Sequence, residues 1–222
     1  MYMQTTFQLL TDIERAIDRY RADGKDLLVS SSFQTQSIPL LHILSTIDPD
    51  IPVAFLDTGY HFPETLAFRD QVAELLDLKL INVQGHEERG GKGLYVVSDD
   101  SCCALNKVEP IHAVLKDFDV WISGVRSDQT DVRSGFTPTM SGPSNTERYH
   151  PMLSWTFEDI NRYRLELDLP AHPLEALGYR SIGCAPCTKE PMIKTISSND
   201  HDRSGRWGGS TKTECGLHLD KA

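Results

Sequence analysis

Five cysteines stand in three places along the chain: the adjacent pair Cys102-Cys103, the pair in Cys184-Ala185-Pro186-Cys187, and Cys215 near the end. An odd number argues against a closed disulfide framework and moves the weight to metal binding or thiol redox chemistry. Two pairs from distant segments can bring four thiolates to one centre. Adjacent cysteines rarely both meet one tetrahedral zinc ion without strain, whereas irons at separate corners of a cluster accept both. On spacing alone a zinc site and an iron–sulfur cluster are equally open, with a CxxC redox pair behind them. Either pair by itself is also compatible with plain burial as small apolar side chains.

Cations and hydroxyls form the second group of chemistry-bearing residues. Lys107 lies four residues after Cys103 and would share its face on a helix, placing an ammonium beside an anionic centre. Arg126 and Arg133 flank a polar stretch, and Arg203 and Arg206 lie ahead of Cys215. Guanidinium groups suit anionic oxygens because their planar fork holds two at once. Ser30, Ser31 and Ser32 offer hydroxyls where a strand passes into a helix, a place that serves phosphate binding as well as ordinary helix capping. Asp57-Thr58-Gly59 follows another apolar run in the same way.

These residues need a scaffold, and the hydrophobic pattern supplies one. Phe7, Leu10, Ile13, Ile17 and Tyr20 recur at helical spacing, and Gly24 breaks the pattern before the run Leu27-Leu28-Val29. A helix follows at Ile38 to Leu44, a strand at Val53 to Leu56, a helix from Glu64 to Leu76 and a strand at Leu80 to Val83. Val120-Trp121-Ile122 reads as a further strand and Thr156 to Leu167 as a helix. This alternation predicts an α/β fold with a mainly parallel sheet, whose ligands bind beyond the carboxyl ends of the strands. The serines, Asp57-Thr58-Gly59 and Arg126 all fall at such ends. Ser127 to Arg148 reads as a long loop, a candidate lid, and Ser197 to Ala222 as a mobile tail rich in Gly, Ser, Thr and charge.

The 222 residues suffice for one sizeable core, which divides the chain into a nucleotide-binding body over residues 1–196 and a tail over 197–222 carrying Cys215. With 22 basic and 32 acidic residues, the formal charge of −10 disfavours nucleic acid and anionic membrane surfaces as partners. No stretch is long and apolar enough to span a bilayer, and the N-terminal residues lack the pattern of a secretory signal. A cytoplasmic protein acting on a small anion is expected.

Three cysteine-bearing segments now become specific. Cys102-Cys103-Ala104-Leu105-Asn106-Lys107-Val108-Glu109-Pro110, Gly178-Tyr179-Arg180-Ser181-Ile182-Gly183-Cys184-Ala185-Pro186-Cys187-Thr188 and Glu214-Cys215-Gly216-Leu217-His218 resemble, in order, three motifs of the assimilatory APS/PAPS reductases. The resemblance extends through Val29-Ser30-Ser31-Ser32-Phe33 and Phe55-Leu56-Asp57-Thr58-Gly59-Tyr60, so it covers nearly the whole chain. It departs at Gln34, where many members carry glycine, and at Val125-Arg126, where paired arginines are usual.

The resemblance implies a Rossmann-like three-layer sandwich of the adenine nucleotide α-hydrolase type. It also implies a 4Fe–4S cluster on Cys102, Cys103, Cys184 and Cys187, with Cys215 as nucleophile. The expected reaction is reduction of adenosine 5′-phosphosulfate (APS) to sulfite and AMP through an S-sulfocysteine. Ser30, Ser31, Ser32, Asp57, Thr58, Gly59, Lys107, Arg126, Arg133, Arg203 and Arg206 are the expected substrate contacts. With no sixth cysteine to resolve the intermediate, thioredoxin or a glutaredoxin-like protein is the expected reductant. A homo-oligomer is compatible with this reading. Glu214 gives Cys215 no help, since a neighbouring carboxylate raises a thiol pKa, and cations must offset it once the tail closes. His218 is more simply a solvated tail residue. The alternatives are reduction of the 3′-phosphorylated substrate PAPS, alone or beside APS; an ATP pyrophosphatase, whose Ser-Gly-Gly loop is missing at Ser30–Ser37; and a zinc-binding adaptor.

Overall fold

The computed structural model of the chain describes residues 2–86, 99–189, 206, 214 and 216–218. Helix α1 (Tyr2–Ala22) presents Ile13, Ile17 and Tyr20 to the core, the helical spacing of the sequence turned into one buried stripe. Strand β1 (Leu27–Ser30) follows, then α2 (Ile38–Ile47), β2 (Val53–Asp57), α3 (Pro63–Leu75) and β3 (Leu80–Gln84). A helical segment comes next: α4 (Asp99–Cys103), a π-helical turn (Ala104–Val108) and α5 (Glu109–Val114). The chain then forms β4 (Val120–Ser123), the short α6 (Asp131–Ser134), β5 (Thr139–Ser141), β6 (Glu147–Tyr149) and α7 (Phe157–Glu166).

The six strands form one sheet in the order β3-β2-β1-β4-β6-β5, parallel except for β5. Successive side chains of a strand point to opposite faces, so each central strand feeds two cores. Val29, Val53, Phe55 and Ile122 pack with α1, α2 and α7 on one face, while Leu28, Ala54 and Trp121 pack with Ile111 and Leu115 on the other. Burial on both faces explains why these strands read as continuous apolar runs. The outcome is the expected α/β sandwich. No helix among the described residues is long and apolar enough to cross a membrane.

The stretch Ser127 to Arg148, expected as a long loop, is instead the edge of the sheet. Its Thr139–Ser141 and Glu147–Tyr149 strands pair antiparallel, and the second pairs parallel with β4. Thr139-Met140-Ser141 and Glu147-Arg148-Tyr149 each hold a single apolar residue, too few to show a strand alternation. The turn joining them places Ser144 and Asn145 at positive φ, 56° and 63°. Asn adopts that conformation more readily than most residues.

Candidate functional site

Ser30, Asp57 and Ser123 end β1, β2 and β4 on one edge of the sheet, as parallel pairing requires. Beyond that edge lies a cleft walled by Ser30, Ser31, Ser32, Gln34, Lys107, Arg133, Gly183 and Arg206 among others. Three cations and no carboxylate are among its described lining residues, although the whole chain carries a net −10. The cleft is thus shaped for a small anion.

The serine loop is held by side chains rather than by helix capping. The Trp121 indole N–H donates to Ser30 Oγ at 2.8 Å, and Ser31 Oγ accepts the Phe33 amide at 3.1 Å. Phe33 itself is fully buried at φ 52°, a region rarely used by aromatic residues, and its ring meets Phe55 edge-on. Burial of that ring holds the backbone in a turn it would not choose alone. Ser37, at the N-cap of α2, makes no side-chain capping bond, and Ser32 is exposed at the cleft. Capping therefore does not account for the three serines. Gln34, where the resemblance departs, accepts the Ile182 amide at 2.9 Å and so ties the loop to the segment before Cys184.

The four paired cysteines come from two elements. Cys102 and Cys103 end α4, both buried, and Cys184 and Cys187 bracket a short 3-10 turn. Cys103 packs against Cys187 and Leu217. All four are free thiols. The π-helical turn carries Asn106 inward, where its amide donates to Cys102 Sγ at 3.6 Å. Thr58, buried, lies 3.2 Å from Cys184 Sγ through its hydroxyl, and the Ala185 amide donates to the Tyr60 carbonyl at 2.7 Å. O–H and N–H groups aimed at sulfur suit thiolates, so the donor set fits a soft metal centre. Among the described residues no three His, Cys, Asp or Glu side chains converge as they would on one ion. A cubane takes its ligands at separated corners and does not need that convergence.

Expected substrate residues separate into groups. Ser30, Ser31, Ser32, Lys107, Arg133 and Arg206 line the cleft. Asp57, Thr58 and Gly59 do not; they form the turn that supports the Cys184 segment, with Gly59 at φ 74° donating to Asp57 Oδ1. Arg126 is 1% exposed and faces inward, donating to Asp128 at 3.0 Å and to Gln36 Oε1 at 2.9 Å. Through this bond it holds Gln36, which itself lines the cleft. Arg203 and Cys215 lie outside the described residues.

Residues flanking Cys215 in the tail are nevertheless docked on the body. Glu214 is buried and takes a two-pronged bond from Arg133, at 2.8 Å from Nε and 2.7 Å from Nη2. Gly216 abuts Val108 and Cys103: a Cβ there would stand 3.2 Å from Val108 Cγ2. Thus Arg133 neutralises the carboxylate that sequence reading set against Cys215.

His61 escaped sequence reading altogether. His61 lines the cleft; its Nε2 lies 2.8 Å from the Leu56 carbonyl, an acceptor, so that nitrogen carries the proton and the buried Nδ1 is left as an acceptor. Burial, assisted by the nearby Lys107 charge, lowers its pKa to about 4. The adjacent Gly59-Tyr60 turn was the available signal.

Residues 26–190 match the family model for the phosphoadenosine phosphosulfate reductase domain. A protein named adenosine 5′-phosphosulfate reductase from Chelativorans sp. (strain BNC1) is 38% identical, over 93% of this chain and 84% of its own. One of the same name from Rhodococcus erythropolis is 35% identical over 88% and 79% respectively. In three dimensions the chain resembles a phosphoadenylyl-sulfate reductase from Candida auris, with TM-score 0.67 and 23% identity over 78% of this chain and 87% of the other. It also resembles an FMN adenylyltransferase from Candida glabrata, with TM-score 0.59 and 16% identity over 78% and 59%. The two structural likenesses establish the fold alone. The sequence match runs from the serine loop past both cysteine pairs, and on that continuity the chain belongs to the phosphoadenosine phosphosulfate reductase family.

Proposed function

We propose that this chain reduces APS to sulfite and AMP, with Cys215 as nucleophile and an external dithiol protein as reductant. The observation that carries the reading is the cationic cleft itself. Lys107 and Arg206 face a serine loop at the strand ends, and the residues on either side of Cys215 dock at its rim.

In the proposed chemistry the Cys215 thiolate attacks sulfur of the sulfuryl group. The S–O bond to phosphate breaks, AMP departs with the electron pair, and an S-sulfocysteine remains. A thiolate of thioredoxin, or of a glutaredoxin-like protein, then attacks Cys215 Sγ. Sulfite leaves with the bonding electrons, and the second thiol of the reductant displaces Cys215 and closes a disulfide. Two electrons pass from dithiol to sulfur. Lys107 and Arg206 hold the anionic oxygens, and Ser31 and Ser32 supply hydroxyl donors.

Cys102, Cys103, Cys184 and Cys187 would hold a 4Fe–4S cluster. When bound, it would join the two cysteine segments and set a local charge beside Lys107. Thr58 and Asn106 orient and stabilise the ligand sulfurs. A cytoplasmic setting fits both the reducing partner and the four free thiols.

The test is anaerobic purification followed by sulfite release from APS and from PAPS, each with thioredoxin, for wild type and Cys215→Ser. Sulfite from APS with wild type and none with Cys215→Ser is expected. Undiminished sulfite from the Ser variant removes the nucleophile, and faster turnover of PAPS transfers the proposal to the 3′-phosphorylated substrate.

A further inference from the structure

Arg133 reads from sequence as a ligand for substrate oxygens, yet the structure commits its guanidinium elsewhere. Nε and Nη2 bond both oxygens of Glu214, and Nη1 donates to Gln129 Oε1. The Thr130 hydroxyl also donates to Glu214 Oε2, at 3.1 Å, while accepting the Arg133 amide at 3.2 Å. Side-chain exposure is 7% for Arg133 and 0% for Glu214. A glutamate this enclosed, 81 positions away in sequence, has been received by a shaped socket rather than met at a surface.

Resting on the proposed role of Cys215, we infer that Arg133 and Thr130 are positioning residues that receive Glu214 and thereby fix the register of the tail so that the following cysteine meets the cleft. Contacts on the far side of Cys215 supply the second fixed point. Gly216 lies against Val108 and Cys103, and Leu217 packs on Cys103 while its carbonyl accepts from Arg148 at 3.4 Å. Arginine is specific here because only a planar fork meets both carboxylate oxygens; an ammonium would hold one point and let the carboxylate swing.

Glutamine at 214 keeps the size of the side chain but sets an NH₂ group against donors of Arg133 or Thr130. The experiment compares wild type with Glu214→Gln and Thr130→Val, in the complete, iron-loaded chain. Two readouts apply: steady-state sulfite formation from APS, and hydrogen exchange of the peptide spanning residues 214–222. Expected for Glu214→Gln is a fall in kcat of about 100-fold, the scale of an ångström-sized misplacement, with KM for APS within about 3-fold of wild type. Exchange of the tail peptide should rise at least about 10-fold, with the rest of the chain unaltered. Thr130→Val, which removes one of the donors to Glu214, should give an intermediate fall in kcat and the same constancy of KM. A KM raised 10-fold with kcat kept would overturn the inference and return Arg133 to substrate binding. Unchanged exchange in Glu214→Gln would overturn it as well. If wild type makes no sulfite, the function proposed above fails, and tail exchange alone then decides the socket.

Discussion

Replacing Arg126 by Met separates two roles that arginine could fill at the end of β4. As a substrate ligand its loss would raise KM; as an internal strut its loss would lower stability. Among the described residues the guanidinium pairs with Asp128 and donates to Gln36. Hydrogen bonds to a charged partner are each worth about 1.5–3 kcal/mol. Asp128 is 36% exposed, so water replaces much of what it loses. Gln36 keeps its bond from Gln129 at 3.1 Å, and the Met side chain refills most of the space left by the arginine stem. The net cost should be about 2–4 kcal/mol. With a urea slope of about 2.5 kcal/mol per molar for a domain of this size, the midpoint falls by roughly 1 M. Tryptophan fluorescence reports the transition, because Trp121 and Trp155 are both buried. KM for APS should stay within about 3-fold. A midpoint shifted by less than about 0.2 M together with a tenfold rise in KM would refute the strut and restore the ligand.

Gly183→Ala tests the cleft from its other wall. A Cβ there would overlap the Arg206 guanidinium, which has to move; KM should rise about 3- to 10-fold, with the thermal midpoint nearly unchanged. In the iron-loaded protein, Thr58→Val removes a hydroxyl facing Cys184 Sγ. The reduction potential should fall on the order of tens of millivolts in an electrochemical titration, and equality with wild type would show that the hydroxyl does not bond the ligand. His61 has a folded pKa of about 4 against 6.5 in the unfolded chain, so between these values the unfolded state binds more protons. Stability is full above pH 6.5 and declines as pH falls toward 4. The midpoint of His61→Leu should fall less steeply over that window, and parallel curves would discount the imidazole.

Legibility in the sequence followed how local each determinant was. β1, β2 and β4 are buried on both faces, so their apolar runs were visible as strands, and the serine loop came with them. The cysteine pairs were visible because two cysteines within four residues leave a spacing. β5 and β6 left none: Thr139–Ser141 and Glu147–Tyr149 are short edge strands whose pairing is set by neighbours. Arg126 has the composition of a surface residue and becomes internal only because Gln36, ninety positions earlier, receives it. The Arg133–Glu214 contact is likewise a product of tertiary folding. Asp57-Thr58-Gly59 sat at the right edge of the sheet, but the side-chain turn it forms there faces the cysteines.

The π-helical turn at Ala104–Val108 has a consequence for how this protein tolerates change. An i→i+5 turn accommodates one more residue than the regular helix around it would. Deleting a single residue between Cys103 and Glu109 could therefore be absorbed by the backbone as ordinary α-helix. The helix on either side would then keep its register, because five residues of a π-turn and four of an α-helix each sweep about one turn. The core anchors Ile111, so Cys102 and Cys103 would stay on the side of Cys187, while Asn106 and Lys107 would lose their present placement. In a library of single deletions, variants at these five positions should express, fold and retain iron as well as wild type yet lose sulfite formation, a phenotype that separates the turn from the cysteines it follows.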